Sequence, residues 1–161
     1  MDKRILIFIV CLISTFSLYS SECEESQKFN GKKIELSNEE WQQRLTPSQY
    51  WILREGGTER PFDNKYNDNK EIGTYLCAAC KLPLFSSDEK YDSKTGWPSF
   101  WKPICQNNLK LEDDYFLYWV KRIEVLCARC ESHLGHVFDD GPPPTGKRYC
   151  INSLALDFLA Q

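Results

Sequence analysis

The pattern of apolar and polar residues separates a leader-like start from one folded domain. A short basic stretch, Lys3-Arg4, precedes nine apolar residues at 5–13, and small, polar or aromatic residues follow to Ser21. This layout predicts a secretory signal peptide over 1–21, since the apolar run is well short of the ~20 residues that span a bilayer. We therefore expect a flexible polar segment over 22–35, one domain over 36–161, and a location in the secretory pathway, either secreted or in the endoplasmic reticulum lumen.

Two short helices are predicted at the start of the domain. Ser37 and Thr46 are each followed three residues later by a residue, Glu40 or Gln49, that can complete a capping box. Gly56-Gly57 supplies the residue type that ends helices.

Beyond residue 70 the pattern changes to short alternating runs, which are typical of antiparallel strands. The predicted strands are 72–76, 83–86, 115–120 and 122–126, and the stretch 147–158 supplies the last strand or two, which could form a hairpin. Helices do not alternate with these runs, so a parallel sheet is excluded. The expected fold class is mainly β and antiparallel, preceded by two short N-terminal helices.

The balance and distribution of charged residues limit the kinds of partner that we expect. The chain has 20 basic and 23 acidic residues, and they form no basic stripe. We expect a monomer that binds neither nucleic acid nor a membrane.

Four of the eight cysteines form two Cys-x-x-Cys pairs, Cys77/Cys80 and Cys127/Cys130. Two such turns provide the four thiolates of a tetrahedral zinc site, which would bind one structural Zn²⁺ and connect distant strands. Two alternatives are a redox motif of the thioredoxin type, which lacks its βαβ context here, and two ordinary disulfides. The spacing favours zinc.

Cys150 lies outside both pairs, in a β-like run that places Arg148 and Asn152 two residues to either side. In a strand these three side chains share one face. A guanidinium on that face favours the thiolate, which is the nucleophilic form. The alternative is that Cys150 is a small buried hydrophobic residue.

The two histidines, His133 and His136, follow the second pair closely. They could be metal ligands, but the paired cysteines already complete a set of four, so a proton donor near Cys150 is the other interpretation. Trp97 belongs to an aromatic cluster that forms either core or an apolar wall for a methyl-bearing group.

The motifs occur together in an order that resembles the B-type peptide-methionine (R)-S-oxide reductases, over about residues 36–159. They are Cys77-x-x-Cys80, Gly96-Trp97-Pro98-Ser99-Phe100, Cys127-x-x-Cys130, His133-Leu134-Gly135-His136-Val137-Phe138 and Arg148-Tyr149-Cys150-Ile151-Asn152-Ser153. The resemblance implies two small antiparallel sheets, a structural zinc and reduction of the R epimer of methionine sulfoxide in oxidised proteins, a protein repair activity in oxidative stress.

The resemblance also implies roles for individual residues. Cys150 would attack the sulfoxide and become a sulfenic acid, with His136 as the acid, aided by Asn152 and positioned by Asp140. Arg148 would stabilise the thiolate. The substrate-binding residues would be Trp97, which packs against the S-methyl group, His133 and Phe138.

The chain departs from the family pattern at two places. Asp139 stands where the family usually has proline. Lys94-Thr95 stands where many members carry a resolving cysteine. The sulfenic acid would therefore be reduced by Cys105, by Cys23, or directly by thioredoxin or a similar thiol.

A non-catalytic alternative is a zinc-stapled β module that binds a ligand in an aromatic cage. Such a module would keep the zinc cysteines and the tryptophans but would need no nucleophile. Cys150 with Arg148, Asn152 and His136 favours the enzyme.

Overall fold

The computed structural model describes residues 23–116 and 120–161, and the predicted signal peptide lies outside this part of the chain. The described elements are two helices and nine strands, in two antiparallel sheets as the sequence predicted. They are α1 (Asn38–Arg44), α2 (Pro47–Glu55), β1 (Gly73–Cys77), β2 (Pro83–Ser86), β3 (Lys90–Tyr91), β4 (Ser99–Phe100), β5 (Leu109–Phe116), β6 (Val120–Cys127), β7 (His133–Phe138), β8 (Arg148–Ile151) and β9 (Leu156–Ala160).

Both helices begin at the predicted capping boxes. The Ser37 hydroxyl accepts the N–H of Glu40 at 3.2 Å, and the Glu40 carboxylate accepts the N–H of Ser37 at 2.8 Å. Thr46 and Gln49 form the same reciprocal pair at α2, which ends at a left-handed Gly56. Among the described residues, no helix has the length and apolar character needed to cross a membrane.

The sheets have the strand orders β2-β1-β9 and β3-β4-β8-β7-β6-β5. The stretch 147–158, predicted as one or two strands, forms two: β8 in the larger sheet and β9 in the smaller one, so the two strands are not a hairpin. A 3₁₀ turn at Ser153–Ala155 separates these strands. The buried Glu59 carboxylate accepts the N–H groups of Ser153 and Leu154, which stabilises this change of sheet.

Aromatic side chains join the two sheets in the core. Phe85 of β2 stacks on Phe100 of β4 with ring centroids 4.4 Å apart, and Tyr75 of β1 meets Phe100 edge-on at 5.0 Å. All three side chains are fully buried. Large buried rings contribute much of the apolar burial that stabilises a small domain, so this cluster fixes how the sheets pack.

The segment 23–35, for which the sequence predicted flexibility, makes several contacts with the domain. Cys23 forms a disulfide with the buried Cys105. The Asn108 amide accepts the N–H of Phe29 at 2.7 Å and donates to the carbonyl of Gln27 at 2.8 Å. The partners of these contacts lie far away in the sequence, so the segment's own composition does not reveal them.

Candidate active site and metal centre

Cys150 lies in the middle of the six-stranded sheet. Strand β8 runs between β4 and β7, and Cys150 is directly opposite Ser99 on one side and His136 on the other. Directly opposite residues of an antiparallel pair project to the same face, so the thiol and the imidazole are neighbours. Tyr149 and Ile151 are buried on the other face, as the alternation predicted.

Close backbone packing brings β7 and β8 together at this point. A Cβ on Gly135 would lie 2.1 Å from the carbonyl oxygen of Cys150, which no side chain can accommodate. Asn152 follows the strand, and its amide donates to the Leu134 carbonyl at 3.2 Å. The same amide accepts the N–H of Glu59 at 3.2 Å, so its orientation is fixed.

A cavity of about 150 Å³ opens in front of the thiol. The Trp97 indole forms one wall, and its N–H donates to the Glu59 carbonyl at 3.1 Å. The lining residues are Thr58, Trp97, Arg122, Gly135, His136, Phe138, Cys150, Ile151 and Asn152. Five predicted site residues therefore meet here, whereas the other four, Thr58, Arg122, Gly135 and Ile151, were not predicted as site residues.

His133 lies behind the cavity, with its ring centroid 5.5 Å from that of His136. It is buried, and its Nδ1 is 2.6 Å from a carboxylate oxygen of Glu124. Its ring meets that of His136 edge-on, and it is not among the residues that line the cavity.

The predicted pairing of Asp140 with His136 is corrected by the structure. The Asp140 carboxylate accepts from Arg148 at 2.8 and 2.9 Å, and His136 Nε2 is 2.9 Å from Asp114. Asp140 follows the end of β7, beside Arg148, whereas Asp114 lies on β5. The sequence offered no signal for Asp114, because its approach to His136 depends on strand register.

The electrostatic environment of Cys150 combines two opposing effects. Burial raises the pKa of the Cys150 thiol above its ordinary value. The Arg148 charge and hydrogen bonds from Thr95 and Arg148 act in the opposite direction but do not outweigh burial. Arg148 also lies 4.3 Å from the centroid of the Phe138 ring, which holds the guanidinium beside the site.

Thr95, from the Lys94-Thr95 pair noted in the sequence, is hydrogen-bonded to the Cys150 thiol. Its hydroxyl is 2.8 Å from that of Ser93, which is in turn 2.7 Å from the buried Ser99 hydroxyl. The structure therefore places a hydroxyl beside Cys150. The candidate resolving residues Cys23 and Cys105 are bonded to each other, so neither presents a free thiol.

The four paired cysteines form a separate cluster that could hold a metal ion. All four sulfur atoms lie within 4.8 Å of one another. Cys77 and Cys130 are 3.7 Å apart, and Cys80 and Cys127 are 3.5 Å apart. Metal–sulfur bonds of about 2.3 Å in a tetrahedron require sulfur separations of about 3.8 Å, so the thiolates fit one closed coordination shell.

The two turns of this cluster share one backbone geometry. Lys81 and Glu131 each follow the second cysteine with positive φ, 61° and 54°. Each donates its N–H to the carbonyl of the first cysteine at 2.8 Å. Because Cys77 ends β1 and Cys127 ends β6, a bound metal would join the two sheets.

A larger cleft of about 530 Å³ lies elsewhere, between the turns at 67–71 and 87–92. Its lining is polar and includes no cysteine and no histidine. The cavity at Cys150 is therefore the candidate catalytic site.

The fold and the site place a thiol and an imidazole side by side at one small cavity, which defines a candidate active site. A SelR domain model matches residues 45–160. Proteins named peptide methionine sulfoxide reductase MsrB are similar: that of Methanosarcina barkeri is 58% identical over 130 residues, 81% of this chain and 91% of its own. That of Methanosarcina mazei is 59% identical over 129 residues, 80% and 91% of the two chains. That of Pseudomonas putida is 54% identical over 127 residues, 79% and 95%. The chain belongs to this family, the B-type peptide methionine sulfoxide reductases.

The rate of Cys150 alkylation as a function of pH tests the electrostatics of the site. In the metal-loaded protein, iodoacetamide labelling followed by mass spectrometry should give a midpoint above that of an exposed cysteine, since burial raises the thiol pKa. Arg148→Gln removes the opposing charge and should move the midpoint to higher pH.

Lys147→Gln is the matched control, because Lys147 is adjacent, is exposed and pairs with Asp139. It should leave the midpoint unchanged. An equal shift in both variants, or no shift with Arg148→Gln, would contradict the assignment of Arg148.

Proposed function

We propose that this chain reduces the R epimer of methionine sulfoxide in oxidised proteins to methionine, with Cys150 as the nucleophile. The observation that carries the proposal is the register that places Cys150 opposite His136 beside a cavity walled by Trp97. The names of the relatives support the reaction class. The cavity volume suits a methyl sulfoxide group and not a large ligand.

The first half-reaction transfers oxygen to the enzyme. The Cys150 thiolate attacks the sulfoxide sulfur and forms an S–S bond, and the protonated oxygen leaves the substrate sulfur as hydroxide. That hydroxide adds to Cys150 Sγ while the S–S bond breaks and its electron pair goes to the methionine sulfur, which leaves Cys150 as a sulfenic acid. Two electrons pass from the Cys150 sulfur to the substrate sulfur. His136 gives a proton to the oxygen, which replaces the proton that left the thiol, so methionine is released without net proton change. A positioned acid typically contributes about 10²–10⁴-fold.

The Trp97 indole would contact the S-methyl group and Phe138 would line the opposite side of the cavity. The Asn152 amide lines the cavity next to the thiol and would orient the sulfoxide oxygen. These fixed walls restrict which epimer can present its sulfur to Cys150, and they position the reacting atoms without further rearrangement.

The second half-reaction uses an external thiol reductant such as thioredoxin. Two external thiols would convert the sulfenic acid to a thiol, with release of water and formation of a disulfide in the reductant. Two observations support direct reduction: Thr95 and not a cysteine lies beside Cys150, and Cys23 is bonded to Cys105.

The cysteine cluster is proposed to bind one structural Zn²⁺. Four thiolates are a common closed zinc shell, and such a site leaves no position for substrate or water. Cys77, Cys80, Cys127 and Cys130 would hold the ion. Zinc would supply folding stability and take no part in oxygen transfer.

A secretory location is proposed from the leader-like segment at 1–21. The Cys23–Cys105 disulfide supports it, because disulfides persist in oxidising compartments and are rare in the cytosol.

The non-catalytic module is not favoured, since a binding cage would not require a thiol, an imidazole and a fixed amide around one small cavity.

Cys150→Ser tests the nucleophile. Turnover of an R-methionine sulfoxide peptide with dithiothreitol should fall to that of a no-enzyme control, because a serine hydroxyl cannot accept the oxygen atom. Metal content and the circular dichroism spectrum should be unchanged. Cys23→Ser is the matched control and should retain turnover. Activity of Cys150→Ser near that of the wild type would refute the proposal.

Cys77→Ser tests the zinc site. The variant should bind less than one equivalent of zinc and be largely unfolded, since structural zinc contributes about 10–16 kcal/mol, as much as the whole stability of a domain. Ala79→Ser, in the same turn, introduces the same side chain without removing a ligand and should remain folded. Elemental analysis and thermal melting provide the measurements, and a folded, metal-free Cys77→Ser protein would contradict this role.

A further inference from the structure

The hydrogen-bond partner of His136 comes from two strands away. Asp114 on β5 pairs in register with Arg122 on β6, and Glu124 on β6 pairs with His136 on β7. Register positions two residues apart share a face, so all four side chains lie on the face that carries Cys150. Asp114 reaches diagonally across β6, and its Oδ2 is 2.9 Å from His136 Nε2.

This contact determines which ring nitrogen carries hydrogen. A carboxylate only accepts hydrogen bonds, so His136 must donate Nε2–H to Asp114. Neutral His136 is then the Nε2–H tautomer, and Nδ1 is the nitrogen that gains or loses a proton. Because the tautomer is fixed, Nδ1 is the atom that takes up and releases the proton throughout a catalytic cycle.

Arg122 holds the carboxylate in place. Its Nε and Nη2 donate to the same Oδ2 of Asp114 at 3.1 and 2.5 Å. Arg122 also lines the cavity at Cys150. The three side chains form a connected network in which Asp114 is held from two sides, which limits the ring orientations open to His136.

The other charged groups around His136 have different partners. The Glu124 carboxylate, directly across the strand, contacts His133 Nδ1 at 2.6 Å, and the Asp140 carboxylate accepts from Arg148. Cys150 faces His136 from β8. Among the described residues, Asp114 is thus the carboxylate hydrogen-bonded to His136.

We propose that Asp114 is the positioning residue of the catalytic acid: it holds the His136 ring by its Nε2–H and leaves Nδ1 to donate the proton to the sulfoxide oxygen. This inference rests on the proposed function of His136 as the acid. It assigns to Asp114, on a distant strand, the role that the sequence suggested for Asp140.

The ionisation of both groups agrees with this geometry. Burial lowers the pKa of His136, the Asp114 hydrogen bond opposes that effect, and the charges of Arg122 and His133 lower the pKa further. Burial raises the pKa of Asp114, but hydrogen bonds from His136 and Arg122 outweigh it and the pKa lies below its ordinary value. The hydrogen bond from Asp114 thus favours the protonated imidazole, while burial keeps the pKa of His136 below its ordinary value.

Imidazole ¹H–¹⁵N spectra of the substrate-free protein test the positioning directly. The chain has two histidines, so two ring systems are observed, and His136→Gln assigns them. At a pH where both rings are neutral, His136 should show the Nε2–H pattern and His133, bonded through Nδ1, the Nδ1–H pattern. Asp114→Ala should convert the His136 signals to a tautomer mixture and leave those of His133 unchanged.

The pH profile of kcat for an R-methionine sulfoxide peptide tests the catalytic consequence. Asp114→Asn removes the charge that favours protonated His136, so the descending alkaline limb should move to lower pH. At neutral pH, kcat should fall at least about tenfold. Asp114→Glu should restore part of the rate, because it returns the carboxylate.

Asp113→Asn is the matched control, since Asp113 is adjacent on β5, faces the other way and pairs with Lys121 at 2.9 Å. It should match the wild type in spectrum and profile. An unchanged His136 tautomer in Asp114→Ala, or a reduced rate in Asp114→Asn without displacement of the alkaline limb, would overturn the inference. A wild-type protein inactive on the R-sulfoxide would refute the proposed function instead, while the spectra would still decide the tautomer.

Discussion

The pairing of β7 with β8 is the contact on which the candidate site depends. It places Cys150 opposite His136, and a shift of one residue would turn one of the two side chains to the other face of the sheet. Gly135 permits the close approach of the strands, and Asn152 bonds the end of β8 back to Leu134. The cysteine turn at 127–130 lies shortly before β7, so a metal bound there would hold the start of β7 in position.

The charged groups around the thiol are divided into separate pairs. His133 contacts Glu124, His136 contacts Asp114, and Arg148 binds Asp140. The Arg148 guanidinium is hydrogen-bonded to Asp140, so its charge is shared between that carboxylate and the Cys150 sulfur. Burial raises the pKa of the thiol above its ordinary value, and the strand pairing keeps the thiol and the His136 imidazole adjacent.

Local sequence signals predicted much of the architecture. The capping boxes at Ser37 and Thr46 and the two Cys-x-x-Cys turns depend on residues a few positions apart, so their structures follow from local chemistry. The alternation around Cys150 correctly placed Tyr149 and Ile151 in the core. The motif order identified the family, because several independent residue patterns had to match.

The remaining features depend on contacts between distant parts of the chain. Asp114 meets His136 only through the registers of three strands, and Cys23 meets Cys105 across 82 residues. Asn108 bonds the N-terminal segment at Gln27 and Phe29, which are far from it in the sequence. Glu59 lies in a polar stretch with no distinguishing pattern. Its backbone is hydrogen-bonded to Trp97 and Asn152, and its carboxylate accepts the N–H groups of the turn after Asn152.

The central claim is that one oxygen atom moves from the substrate to Cys150. A single-turnover experiment tests it most directly: metal-loaded protein without reductant is mixed with excess R-methionine sulfoxide, methionine is counted, and sulfenic acid is located by dimedone labelling and mass spectrometry. We expect one equivalent of methionine per protein, the dimedone label on Cys150, and no reaction with the S epimer. Methionine formation without modification of Cys150, or equal reaction of both epimers, would contradict it.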